Sequence, residues 1–483
     1  MLRFARILGT ALLLPRSLAA TPDVLATCQQ IANAISSASE VFYSRMPTSL
    51  LALDPPDGTV YAADPSYLAD IAHYSISSTE EAVCSVEPGT AEDVGTILTI
   101  VGSTSTPFGV KSGGHANNPN FSSSTGIQIA MTRLSAIDYD SSSETVAVGA
   151  GNIWDDVYAA LEPYGVNVVG GRVSGIGVAG FTLGGGYSWL TNQYGLALDS
   201  VRAFELVLPN GTVTNVTQST YPDLFWGLKG GYNNYGIVTT FTLQTYPQGL
   251  VWGGQLIILG EYIDQVNSAT ANFAANVTDP KAQIIATYDY EEGALLAAVI
   301  LFYDAPSQPA DIFDEFLAIP ALSTNISTQS FLSLVQVEPT TTSANMRGFS
   351  NTVPFMEITL PLLEAIVAQL EYWGTALANS STTLRFLPFN MDFFWTDATY
   401  DDAFYAAIVA SSQNLTDTAV AEGQTLVTGG AALSKLRAVW DGRGEHIWGV
   451  PRGDDGVEGA VRPGERHGAH RRMEDPGMRL EPC

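Results

Sequence analysis

One histidine stands at the end of a glycine loop, Lys111-Ser112-Gly113-Gly114-His115, in a chain that holds only five histidines. A neutral imidazole is a good nucleophile near neutral pH, so such a residue can form a covalent bond or simply donate a hydrogen bond. A second loop, Ser174 to Gly186, carries Gly175, Gly177, Gly180 and Gly184-Gly185-Gly186. Where side chains are missing, backbone N–H groups can approach an anion closely. That route matters here, because Lys and Arg number 21 against 49 Asp and Glu, and only twelve of the 21 precede position 433. An anionic ligand would have to be held by main-chain amides rather than by cations. The spacing Gly175-x-Gly177-x-x-Gly180 matches a dinucleotide fingerprint, but no acidic residue follows on a neighbouring strand, so a Rossmann reading is rejected.

The loops need elements to position them. Ile31 to Met46 has helical periodicity, Ala91 to Val101 reads as a helix, and Thr106 to Val110 as the strand entering the His115 loop. Ile127 to Met131, Thr145 to Val148 and Val166 to Val169 read as strands, and Ile153 to Leu161 as a helix. Val201 to Leu208, the turn Pro209-Asn210-Gly211, and Thr212 to Val216 form a hairpin signal. Asp223 to Trp226 opens a short helix, and Gly236 to Thr245 is β-rich. Beyond Pro247-Gln248-Gly249 the glycine clusters stop. Strands such as Gln283 to Tyr288 and Leu295 to Tyr303 then alternate with helices such as Pro361 to Trp373. This predicts an α+β protein of two units, residues 21–247 and 248–432.

Taken together these blocks resemble the vanillyl-alcohol-oxidase (PCMH-type) FAD-linked oxidoreductases, in particular the berberine-bridge-enzyme-like and oligosaccharide-oxidase branch. The matching stretches are Pro88-x-Thr90-x-Glu92-Asp93-Val94, Phe108 to His115, Gly149-Ala150-Gly151-Asn152-Ile153-Trp154, Gly171 through Gly180, Thr182 to Gly186, Asp223 to Gly231, and Asn234 to Thr239. The resemblance spans roughly residues 60 to 430 and implies a two-subdomain PCMH-type FAD-binding fold plus an α/β substrate domain with an antiparallel sheet and helices. It implies that His115 is bonded to the 8α-methyl of FAD. It places Gly109, Val110, Lys111, Ser112, Gly113, Gly114 and Ala116 on the pyrophosphate. Ser174, Gly175, Gly177, Val178 and Gly180 would approach the pyrophosphate, ribityl chain and flavin edge. Ile237 and Val238 would reach the adenine side through main-chain hydrogen bonds. Val173 stands where many relatives place a second flavin-linking Cys, so a single attachment is expected.

The catalytic base is not assigned by sequence; Asp392, Tyr288 and Tyr290 are candidates from the second unit. His73, Trp226 and Tyr235 read as structural, the last two as core. The implied reaction is oxidation of an alcohol, sugar or secondary-metabolite donor, with electrons passed to O2 and H2O2 released. A dehydrogenase using another acceptor stays open, as does a non-catalytic secreted flavin-fold glycoprotein if the tail at residues 433–483 is authentic.

Compartment is legible at the N-terminus. Arg3 and Arg6, the apolar run Ile7 to Leu14 and Ser17-Leu18-Ala19-Ala20 predict a signal peptide over residues 1–20 and a secreted protein. Sequons at Asn120, Asn210, Asn215, Asn276, Asn325, Asn379 and Asn414 agree with export. Cys28 and Cys84 are the natural disulfide pair in an oxidising compartment, two buried free thiols being the alternative. A net charge of −28 argues against nucleic acid and anionic membranes as partners, and a monomer is expected.

Residues 433–483 hold nine of the 21 Lys and Arg and three of the five His. The resemblance implies instead a Pro-Asn-Tyr-Ala-like segment that returns to the FAD domain. A one-base shift of the codons for Ser434 to Trp440 permits Pro-Asn-Tyr-Ala-Leu, so a frameshift or mis-set splice site near Leu433 is expected to have produced this tail.

Overall fold

The helix that precedes the His115 strand runs Ala91–Thr104, capped at its start by Thr90, whose hydroxyl accepts from the Asp93 amide at 3.1 Å. The computed structural model describes residues 23–44, 64–291, 293–337, 346–353, 355–377, 383–387 and 390–424. The expected signal peptide, Asn379 and the 433–483 tail lie outside the described residues. The N-terminal helix differs from its prediction. It spans Val24–Ala34 with Asp23 as N-cap, and Glu40–Tyr43 is a strand. A serine-rich turn ends it, because the Asp93 carboxylate draws in the Ser36 amide (2.8 Å) and the Ser36 and Ser39 hydroxyls (2.5 and 2.7 Å). Cys28 is bonded to Cys84, tying this helix to the next strand across a separation of 56 residues. Such a link is worth about 2–4 kcal/mol.

Strands β1 (Glu40–Tyr43), β2 (Cys84–Glu87), β3 (Phe108–Lys111) and β4 (Ile127–Ala130) form the first sheet, ordered β1-β2-β4-β3. β4 runs parallel to both β2 and β3, while β1 is antiparallel to β2. β5 (Ile137–Asp140), β6 (Thr145–Gly149), β8 (Val201–Val207), β9 (Val213–Thr217) and β10 (Ile237–Gln244) make an antiparallel sheet ordered β5-β6-β10-β8-β9. The expected hairpin is β8–β9. The strand expected over Val166 to Val169 is short: β7 (Val166–Asn167) pairs only with β11 (Tyr246–Pro247) among the described residues.

The third sheet is antiparallel and seven-stranded. It contains β12 (Val251–Leu259), β13 (Ala282–Glu291), β14 (Ala294–Tyr303), β15 (Ser323–Gln329), β16 (Arg347–Thr352), β17 (Thr383–Leu387) and β18 (Asn390–Trp395). Its order is β15-β12-β14-β13-β17-β18-β16. Strand alternation gives it two different faces. Tyr288, Leu384, Phe393 and Trp395 pack with residues of the helices Leu360–Ala376 and Asp401–Ala421, among them Leu363, Ile366 and Phe404. Ile285, Ile300 and Phe302 join the core of the first half beside Trp154 and Trp189. The amide of Gln283 donates to the carbonyls of Ser188 (3.1 Å) and Trp189 (2.8 Å), so the halves are joined by polar as well as apolar contacts. The α+β class expected from the sequence is the class observed. Among the described residues, no helix is long and apolar enough to cross a membrane.

Candidate functional site

The two glycine loops meet backbone to backbone at Gly113 and Gly177. A Cβ on Gly113 would lie 2.6 Å from the Gly177 Cα, and one on Gly177 would lie 2.4 Å from the Gly113 nitrogen. Gly114 (φ 70°) and Gly175 (φ 79°) take the left-handed turns that shape each loop. Gly177→Ala is expected to force the loops apart, at a cost of about 1–3 kcal/mol. Its signature would be a lower melting temperature together with a lower flavin-to-protein absorbance ratio.

His115 sits at this junction. Its ring stacks on Tyr74 with centroids 4.3 Å apart, and the Tyr74 amide donates to the Gly114 carbonyl at 2.8 Å. Burial pushes the imidazole down to about 4, against an opposing hydrogen bond to the Gly175 backbone. The ring is therefore neutral at physiological pH and able to act as a nucleophile.

The structure separates the expected contacts into two groups. The amides of Gly113, Gly114, His115 and Ala116 have no hydrogen-bond acceptor among the described residues. In the second loop, Asp155 already accepts from the Ser174 hydroxyl (2.6 Å) and the Gly175 amide (2.8 Å), and the Val178 amide donates to the Asn152 carbonyl (3.0 Å). In that loop the Gly175 and Val178 amides are thus engaged, whereas the Ser174, Gly177 and Gly180 amides have no acceptor among the described residues, and Gly180 lies exposed. Gly109 abuts the backbone of Ser122 and Ser123, and Val110 is paired in β3. Lys111 sends its ammonium to the Ala69 carbonyl (2.6 Å), and Ser112 donates to the Ala150 carbonyl (2.6 Å). Ile237 and Val238 are buried in β10, beside a register shift at Val238/Thr240.

His73 is held between the Ile71 carbonyl and the Ser122 hydroxyl, each at 2.8 Å. Trp226 and Tyr235 depart from expectation: they are 60% and 40% exposed. The helix Pro222–Leu228 turns Phe225 and Leu228 into the core, which leaves Trp226 on its outer side.

The three candidate bases are also separated. Tyr288 is fully buried in the core facing the helices, where burial raises its phenol well above the ordinary range. Tyr290 lies on the same side, against Gly374. Asp392 instead faces the His115 loop. Ser350 and Asn390 (2.8 Å) donate to its carboxylate, as does Asn117 at 3.5 Å. Asn117 also donates to the Ser350 hydroxyl at 2.6 Å, and Ser75 donates to Asn117 at 2.7 Å. Burial raises the Asp392 carboxyl above its usual range, against these hydrogen bonds and the nearby Arg385 charge. Tyr74, Asn117, Ser350 and Arg385 do not stand out in the sequence; only Asn117, two places after His115, carries a local signal.

Residues 82–217 match the family described as FAD binding domain. This segment is similar to FAD-binding domains. The chain is 40% identical over 255 residues to an uncharacterized FAD-linked oxidoreductase of Arthroderma benhamiae, covering 52% of this chain and 51% of that protein. It is 37% identical over 284 residues to the FAD-dependent monooxygenase drtC of Aspergillus calidoustus, covering 57% and 54%. The chain thus spans about half the length of these curated relatives. In structure it is similar to 6-hydroxy-D-nicotine oxidase from Arthrobacter nicotinovorans, with a TM-score of 0.65 at 19% identity over 83% of this chain and 89% of that one. At this identity the likeness shows a shared fold, of the mixed helix-and-sheet class with antiparallel sheets. The FAD-binding domain fits its cofactor at the Gly113–Ala116 amides, which suit a pyrophosphate, and at the closely apposed glycines that a Cβ would fill.

Proposed function

We propose that this protein is a secreted FAD-dependent oxidase of an alcohol, sugar or secondary-metabolite donor, with FAD attached through His115. The observation that carries the reading is the buried Asp392 carboxylate, joined through Asn117 to the loop that ends in His115. When bound, FAD would supply the two-electron acceptor for oxidation of a CH–OH donor, with O2 as the final oxidant. The chain's own residues do the rest. The Gly113–Ala116 amides bind the pyrophosphate, neutral His115 supplies the tether, and Asp392 takes the hydroxyl proton of the donor. Ser350, Asn390 and Asn117 fix the orientation of that carboxylate.

Secretion is supported by the N-terminal pattern, the Cys28–Cys84 disulfide and the sequons. Asn120, Asn210, Asn215, Asn276, Asn325 and Asn414 are all exposed, so each sequon among the described residues is open to modification. A panel of alcohols, sugars and phenolic metabolites, scored for peroxide with the purified holoprotein, tests the activity. Peroxide formed in step with oxidised donor is expected. Oxygen from labelled O2 appearing in the product would replace the oxidase reading with a monooxygenase one.

A further inference from the structure

The sheet face that carries Asp392 holds a row of polar side chains in a single register. Asp289 on β13 is paired with Arg385 on β17, Arg385 with Asp392 on β18, and Asp392 with Ser350 on β16. Directly opposed residues have Cβ atoms about 5 Å apart, so Arg385 stands in register between two acidic residues. Arg385 Nε donates to Asp289 Oδ1 at 2.8 Å, with both side chains mostly covered. These two balance each other's charge without Asp392. A third charge beside them is costly to bury and adds nothing to that balance, which points to use.

We propose that Arg385 and Asp289 set the pH at which Asp392 serves as a base, Arg385 favouring its carboxylate form and Asp289 tempering that effect. This rests on the reading of Asp392 as the base, and makes Arg385 and Asp289 positioning residues. The charged and titratable groups brought near Asp392 are Arg385 from β17, Asp289 behind it on β13, and His115 and Tyr74 from the FAD-binding half; β16 contributes the neutral Ser350. His115 is neutral near pH 7, which leaves Arg385 as the main nearby cation.

The test uses the full-chain holoprotein with Arg385→Met, Asp289→Asn and Arg385→Lys. Both the acid limb of the kcat/KM profile and an infrared titration of the protonated carboxyl band are followed, the band being assigned by its loss in Asp392→Asn. Arg385→Met is expected to move both upward by about one pH unit, and Asp289→Asn to move both downward by about half a unit. Arg385→Lys, which keeps the charge, should leave them in place. The first two variants break the same ion pair, so a purely structural role would shift them in the same direction. Shifts of equal sign, or none, overturn the proposal. If Arg385→Met does not fold, Arg385→Gln, which also removes the charge, takes its place in the comparison with Asp289→Asn. Turnover retained in Asp392→Asn would instead defeat the base assignment, while the infrared shifts would still report on the charge row.

Discussion

Replacing His115 with Ala is expected to convert a pigment that stays with acid-precipitated protein into one that is released wholly to the supernatant. The parent ring is stacked on Tyr74 and held neutral by burial that brings it down to about 4. A neutral imidazole has the lone pair that bond formation requires, and no Cys or second His stands in either glycine loop to replace it. The amides of Gly113 to Ala116 do not depend on the ring, so the variant should still bind FAD reversibly. Loss of the covalent electron-withdrawing link should also lower the flavin potential and slow reduction by donor. Absorbance of the precipitate and supernatant after acid treatment reads the result directly. Pigment still fixed to the Ala variant would show that the tether lies elsewhere.

Asp392→Asn is expected to lower kcat/KM by about 10²–10⁴-fold, the range typical of losing a general base. KM should change less, because the amide keeps the shape of the carboxylate and can still meet Ser350. In the parent, activity should rise with pH as the raised Asp392 carboxyl ionises, and this limb should vanish in the variant. Stability gives a second readout. A carboxyl whose folded value is raised binds its proton more tightly folded than unfolded, so its contribution is present below the unfolded aspartate range of about 4 and is lost as pH rises through the folded value. Asn does not titrate. The variant's melting temperature should therefore gain on the parent's as pH rises above about 4. An unchanged pH–rate profile would assign the proton transfer to another group.

The glycine loops, the candidate tether at His115 and the α+β class were legible before any coordinates, because each is written in local patterns: alternation, turn residues and missing side chains within a few positions. So was the Cys28–Cys84 pair, since a chain with three cysteines leaves few alternatives. The choice among the candidate bases was not. Tyr288, Tyr290 and Asp392 are all strand residues, and no local signal says which face of the seven-stranded sheet turns toward the His115 loop. That choice depends on the pairing of β13, β17 and β18 and on helices covering the opposite face. The meeting of Gly113 with Gly177, the capture of the Gly175 amide by Asp155, and the Asp289–Arg385–Asp392 row likewise join residues distant along the chain. Trp226 shows the same limit in reverse: its apolar character suggested core, but a seven-residue helix has room to bury only one side. Short-range chemistry is set by residue type, whereas long-range apposition is set by how sheets and helices share the available apolar surface.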